Sequence, residues 1–376
     1  MSNGRRDTGL PMKVIHYSPH LLFHEESGPG NAILGWCRAI ARLGIDTSIL
    51  VDEETVRIAT PEDIDFVLLK HVGRGRLRMP AGLPLPKNDD TLLVTHAGFT
   101  LFNVVAGRLA RKQGIPYAVM AHGVYHPQVL KRRALLKRTW FSVLEKPYLD
   151  KAAAIQIFFP EEKEHLASLS VRTPVVVAPN GIAAPEGVRW DGGSGGYLLW
   201  LGRYDPVNKG LDVLLEGLRL LPTSHRPRVR LHGRDYQGGR QVVERLLREL
   251  HLEASVRVGD PVYGEEKWRL MAQANGFVYP SRWEGSPTAV AEAISIGTPT
   301  MVAGYPMGRF LASRGGALLV ELTPSSVREG IERLLSDEAR EWGARGSEVA
   351  RRELSWDAVA KSWIEQVQRV LADSNR

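Results

Sequence analysis

One pattern constrains this chain more than any other, and it occurs twice. Short apolar runs alternate with helical patterns on both sides of a Gly-, Pro- and Ala-rich break at residues 180–196. Before the break, residues 13–18, 47–51, 66–69, 91–95, 117–120 and 155–158 read as buried strands. Between the first two, residues 32–43 carry Ile33, Leu34, Trp36, Cys37, Ile40 and Leu43 at helical spacing, with Gly44 as a stop. After the break, 197–201, 228–232, 256–258, 276–279 and 300–302 read as strands, and 211–220 and 241–250 as helices. Such alternation predicts an α/β protein with parallel, doubly wound sheets. Two similar halves joined by one hinge predict a ligand cleft. The expected domains are 1–183, with 1–11 a disordered leader, and 184–355. Trp363, Ile364, Val367, Val370 and Leu371 give 356–376 one apolar face, so this last helix is expected to pack back on the first domain.

Composition narrows the partners. The excess of basic residues gives a net charge of +7, which favours an anionic partner: nucleic acid, anionic lipid or a phosphorylated small molecule. The basic residues do not interleave with stacking aromatics along a groove, which argues against nucleic acid. The single cysteine, Cys37, precludes an intramolecular disulfide and fits a reducing compartment. The most apolar stretch, 92–110, is interrupted by His96, Asn103 and Arg108, so no membrane span is expected. Lys13, His16 and His20 break up any signal-peptide core, and the expected location is the cytoplasm.

The densest chemical signal is PSRWEGSPTAVAEAISIGTP at 280–299. Ser286 is a good N-cap, Pro287 suits the first helical position and Gly297 a stop. The free amides and positive dipole of that helix start make an anion site, and Gly285 lets a ligand approach the backbone. Glu284 lies just before the helix. Glu292 lies about five residues past its first position, roughly 7–8 Å along the axis. A diphosphate at the helix start would have a hydroxyl-binding carboxylate towards each end. The rival reading is an ordinary helix with a solvated glutamate and a charged loop.

Three further segments join it. In LWLGRYDPVNKGLD, at 199–212, Arg203 and Lys209 flank a proline turn at a strand's carboxyl end, where they would neutralise a departing diphosphate. Asp212 is expected to hold one of them. In SGPGNAIL, at 27–34, Gly28 and Gly30 occupy a strand–helix turn where a phosphate loop sits in such folds, although neither the dinucleotide nor the P-loop pattern is met. In MAHGVYHP, at 120–127, His122 stands at a strand's carboxyl edge, able to contact a sugar or acceptor hydroxyl. Each also has a structural reading: a surface turn, a plain connection, a packed histidine. The triplet Asp63-Ile-Asp65 precedes an apolar run instead of following it, so it reads as a solvated loop and no metal site is expected.

Taken together, these residues resemble the family 4 retaining glycosyltransferases of GT-B fold. The motifs are PNG at 179–181, GR at 202–203, NKG at 208–210 and E-x7-E at Glu284 and Glu292. The resemblance spans nearly the whole chain. It implies two Rossmann-like domains facing a central cleft, an acceptor side first and a donor side second, and transfer of a hexose from a UDP- or GDP-sugar to a hydroxyl acceptor without a cofactor or metal. It implies that Glu284 faces the donor sugar, that Glu292 holds the ribose and that Arg203 and Lys209 bind the diphosphate. The backbone of Gly285, Ser286, Pro287 and Thr288 would line the phosphates and sugar, offering the N–H groups of the three that have one, with His122 beside the sugar and Gly28, Gly30, Asn180 and Gly202 completing the donor contacts. The expected mechanism is front-face attack, with the departing phosphate taking the acceptor's proton. The segment 131–146 interleaves six basic residues with Leu135, Leu136, Trp140, Phe141 and Leu144, which suits a lipid-linked acceptor or an anionic membrane. The alternatives are a phosphorylase or epimerase on the same fold, or a non-catalytic nucleotide-sugar binder.

Overall fold

A computed structural model describes residues 13–18, 28–52, 62–73, 78–86, 90–131 and 134–374. The expected leader, 1–11, lies outside the described residues. The chain divides into two units, one of Met1–Gly181 with Trp356–Arg376, the other of Ile182–Ser355.

The first unit is built on seven strands: β1 (Lys13–Tyr17), β2 (Asp46–Asp52), β3 (Asp65–Leu69), β6 (Thr91–His96), β7 (Tyr117–Met120), β8 (Ala154–Ile157) and β9 (Val175–Val177), the hairpin of β4 (His71–Val72) and β5 (Met79–Pro80) standing apart. Their order is β3-β2-β1-β6-β7-β8-β9, and every pair is parallel. The order reverses between β1 and β6, so the carboxyl ends of those two strands flank the switch point where open parallel sheets bind ligands. The first helix, Gly28–Arg42, starts four residues before the expected 32, which puts Gly28 and Gly30 in its first turn and not in a loop ahead of it.

The C-terminal helix, Trp356–Ser374, completes one face of this sheet. Trp36, Ala39 and Ile40 of the first helix share a core with Val359, Ala360, Trp363, Ile364 and Val367. Burying one such large side chain contributes about 1.5–3 kcal/mol. Two glycines make room for Trp356: a Cβ at Gly35 would lie 2.1 Å from its ring, and one at Gly181 2.4 Å. The glycine of the PNG motif is therefore required by packing. The short strand β9 is bracketed by Gln366, whose side-chain amide accepts from Val177 N–H at 3.0 Å and donates to Val177 C=O at 2.9 Å. The amide thus satisfies backbone groups that an edge strand otherwise leaves open.

Within 131–146 the described residues form the end of the helix Pro127–Lys131, the helix Ala134–Trp140, a π-helical turn Phe141–Glu145 and the start of the helix Lys146–Leu149. Phe141 is buried, while Leu135 is 81% and Val143 65% exposed. Glu145 closes the π-turn, and its buried carboxylate accepts from Phe99 N–H at 2.8 Å, Tyr125 Oη at 2.7 Å and Trp140 Nε1 at 3.0 Å.

The second unit carries β10 (Tyr197–Leu201), β11 (Arg228–His232), β12 (Val256–Gly259), β13 (Gly276–Tyr279), β14 (Thr300–Ala303) and β15 (Leu318–Val320). Their order is β12-β11-β10-β13-β14-β15, again wholly parallel. The switch point lies between β10 and β13, so the 202–210 and 280–288 loops leave the sheet side by side. Among the described residues no helix is long and apolar enough to cross a membrane.

Candidate active site

The second unit brings Lys209 and Glu284 into direct contact. Lys209 Nζ donates to Glu284 Oε1 at 2.5 Å and to Tyr279 Oη at 2.9 Å. Lys209 is only 7% exposed, so two of its three N–H groups are committed inside the fold. Burial opposes the ammonium, but the Tyr279 hydroxyl and the Glu284 carboxylate outweigh it and hold Lys209 charged, above the usual lysine range. Tyr279 closes β13 and was not expected from sequence.

Backbone geometry fixes this contact. Gly210 has φ +65°, and a Cβ there would lie 1.8 Å from the Pro280 carbonyl oxygen. Only glycine allows the two loops to approach this closely. Arg282 links them a second time. Its backbone N–H donates to Asn208 C=O at 2.8 Å, its guanidinium bonds Val207 C=O, and it grips Asp212 through two N–H···O contacts of 2.8 Å. Asp212 thus holds neither Arg203 nor Lys209; its partner is Arg282, two residues before Glu284.

Arg203 follows β10 and places its guanidinium 4.5 Å from the ring centre of Tyr236, a cation–π contact. The helix after Glu284 begins at Thr288 with Pro287 at its cap position and no side-chain cap, so Ser286 is not the cap. The proline has β-region φ and ψ, and its carbonyl accepts the Val290 and Ala291 N–H groups. Of the first turn, the Thr288 and Ala289 amides have no preceding helical carbonyl to bond. Glu292 then sits four residues into the helix, about 6 Å along the axis.

Glu292 is 9% exposed, and burial raises its pKa while Lys267 opposes the shift. Lys267 Nζ donates to Glu292 Oε1 at 2.6 Å from the helix Gly264–Gln273. Nothing in the spacing of the sequence pointed to Lys267. Each carboxylate of the E-x7-E pair therefore has its own lysine.

In the first unit, His122 closes a chain of three imidazoles at the ends of β1, β6 and β7. His16 Nδ1 meets His96 Nε2 at 2.9 Å, and His96 Nδ1 meets His122 Nε2 at 3.0 Å. Burial keeps all three neutral: it pushes His122 down to about 4, His16, near the His122 ring, down to about 3, and His96, between the rings of His16 and His122, well below its usual value. The backbone here is unusual, with Ala97, Phe99 and His122 at φ 66°, 60° and 50°. Such left-handed non-glycine residues persist only where their surroundings hold them, most often at functional sites. Asn103 Nδ2 supplies part of that hold by donating to His96 C=O at 2.7 Å.

The remaining sequence candidates fall elsewhere. Asn180 Oδ1 accepts from Trp36 Nε1 at 3.3 Å in the first unit. Asp63 is gripped by Arg38 at 2.6 and 3.0 Å, and no cluster of metal-ligating side chains occurs among the described residues.

Known proteins are similar along most of the chain. Residues 27–181 match the glycosyl transferase 4-like domain, and residues 193–349 match glycosyl transferases group 1. A GDP-mannose:cellobiosyl-diphosphopolyprenol alpha-mannosyltransferase of Xanthomonas campestris is 27% identical over 208 residues, a match spanning 54% of this chain and 53% of that relative's length. The enzyme of the same name from Xanthomonas oryzae pv. oryzae is 26% identical over 81% of this chain and 82% of its own. The structure of Anabaena HepE in complex with UDP and glucose superposes with a TM-score of 0.67 at 14% identity, covering 97% of this chain and 99% of that one. Two parallel-sheet units, each matched by a glycosyltransferase family model, show that the chain belongs to the family 4-like glycosyltransferases of GT-B fold.

Proposed function

We propose that this protein transfers a hexose, with retention, from a nucleoside diphosphate sugar to a hydroxyl of a glycan, lipid-linked or small-molecule acceptor. The observation that carries the reading is the buried Lys209–Glu284 pair beside the free amides of the helix Thr288–Ser295. A cation held charged beside a helix N-terminus suits a diphosphate, and a carboxylate on that cation suits sugar hydroxyls. The third N–H of Lys209, the guanidinium of Arg203 and the first-turn amides receive the charge that grows on the leaving diphosphate, the largest lever available to such a reaction. No metal is needed in this scheme, because these groups supply the positive charge. Glu284 Oε2 takes a hydroxyl of the sugar, and Glu292, oriented by Lys267, takes the ribose.

In the transfer step the bond from the anomeric carbon to the phosphate oxygen breaks. The bond to the acceptor oxygen forms on the same face, and the acceptor's proton passes to the departing phosphate. The names of the two Xanthomonas relatives favour GDP-mannose as donor and a diphosphopolyprenol-linked glycan as acceptor. The exposed Leu135, Leu136 and Val143, close in sequence to Lys131, Lys137 and Arg138, fit such an acceptor presented at an anionic membrane surface.

The test is release of GDP from GDP-mannose on adding a diphosphate-lipid-linked glycan in EDTA, with UDP-glucose as a second arm. Acceptor-dependent release in one arm is expected, faster with acceptor in anionic than in neutral vesicles. Binding of both donors without acceptor-dependent release would sink the catalytic reading, and equal rates in the two vesicle types would sink the membrane reading.

A further inference from the structure

The three histidines at the switch point of the first unit form a directional chain. His96 uses both ring nitrogens, Nε2 towards His16 Nδ1 and Nδ1 towards His122 Nε2. A neutral imidazole carries one N–H and one lone pair, so each N···N contact holds one proton and the protons must run the same way along the chain. If they run inward, His122 donates to His96, His96 donates to His16, and the chain ends on an N–H at His16 Nε2. If they run outward, His16 donates to His96, His96 donates to His122, and the chain ends on an N–H at His122 Nδ1.

The inner end decides between the two. His16 is fully buried, and its Nε2 has no hydrogen-bond partner among the described residues. An orphaned buried N–H is rarer and costlier than an orphaned lone pair. The outward order leaves only a lone pair there. It delivers the N–H to His122, which lies just beyond β7, mostly buried but reaching the surface, at a φ of 50°.

We propose that His16 and His96 are positioning residues that lock His122 as the Nδ1–H tautomer, making it a hydrogen-bond donor to a sugar hydroxyl oxygen and not a proton acceptor. The inference rests on the reading of His122 as a sugar contact. It deepens that reading: with Nε2 occupied by His96 and Nδ1 protonated, His122 has no lone pair with which to take the acceptor's proton.

Ring-15N histidine NMR of the full chain tests this without reference to activity, with the His122 signals identified by their loss in His122→Asn. The expected pattern is a protonated Nδ1 and a bare Nε2. In His96→Leu the His122 ring should lose that fixed pattern, and turnover should fall about tenfold, the worth of one misdirected hydrogen bond. His96→Gln should restore both, since its amide oxygen accepts from His16 and its NH2 donates to His122. A wild-type His122 protonated at Nε2, or a pattern unchanged in His96→Leu, would overturn the proposal. A changed pattern with undiminished turnover would support the tautomer lock and remove His122 from the sugar site, so the two readings fail separately.

Discussion

Replacing Lys209 with methionine lowers transfer about 10³-fold while the chain still folds, the size expected when one preorganised stabiliser of developing charge is lost. The loss is large because the ammonium is held charged in a site only 7% exposed, where water screens it little. Methionine fills a similar volume but leaves Glu284 with no cation on Oε1. Donor binding should weaken too, though less than turnover falls, because the leaving diphosphate gains charge only as the bond breaks. Tyr279→Phe is the control. It removes one hydrogen bond from Lys209 and spares the ion pair, so a loss of no more than about tenfold is expected. Turnover of Lys209→Met within tenfold of wild type would remove Lys209 from the transition state.

Gly210→Ala is the second large effect, and it acts on stability. The added Cβ would stand 1.8 Å from the Pro280 carbonyl oxygen, at a φ of +65° that alanine adopts poorly. Overpacking and left-handed strain together cost about 3 kcal/mol. For a unit of this size that lowers the melting temperature by about 6–12 °C. Because the glycine seats the Lys209 loop against the Glu284 loop, the variant should also lose donor binding at temperatures where it is still folded. A melting temperature within 2 °C of wild type would mean that the two loops do not need this approach.

Much of this was legible in the sequence because it is local. The two sheets were read from runs of apolar residues, and only the three-residue strands β9 and β15 and the small β4–β5 hairpin escaped, being too short to carry a period. The helix that carries Glu292 was read from its local residues one residue early, and the turn and helix around Lys209 were read in their places. The partners were not legible, because partners are a matter of topology. His16 and His96 are 80 positions apart and meet because β1 and β6 are neighbours in the sheet. Lys267 reaches Glu292 from a different helix. Asp212 was assigned to the cations nearest in sequence, whereas the folded loops present it to Arg282, 70 positions away. The cap at Ser286 failed because Pro287 has extended φ and ψ, which ends the loop one residue later.

The central claim is that the second unit holds a nucleoside diphosphate sugar between Glu284 and Glu292. Calorimetric titration of wild type and Glu292→Gln with GDP-mannose in EDTA tests it most directly. The account predicts a single binding event in wild type and an affinity about 10- to 100-fold lower in Glu292→Gln, the worth of a hydrogen bond to a charged group. Equal affinity in the two proteins, or wild-type binding that disappears in EDTA, would contradict it.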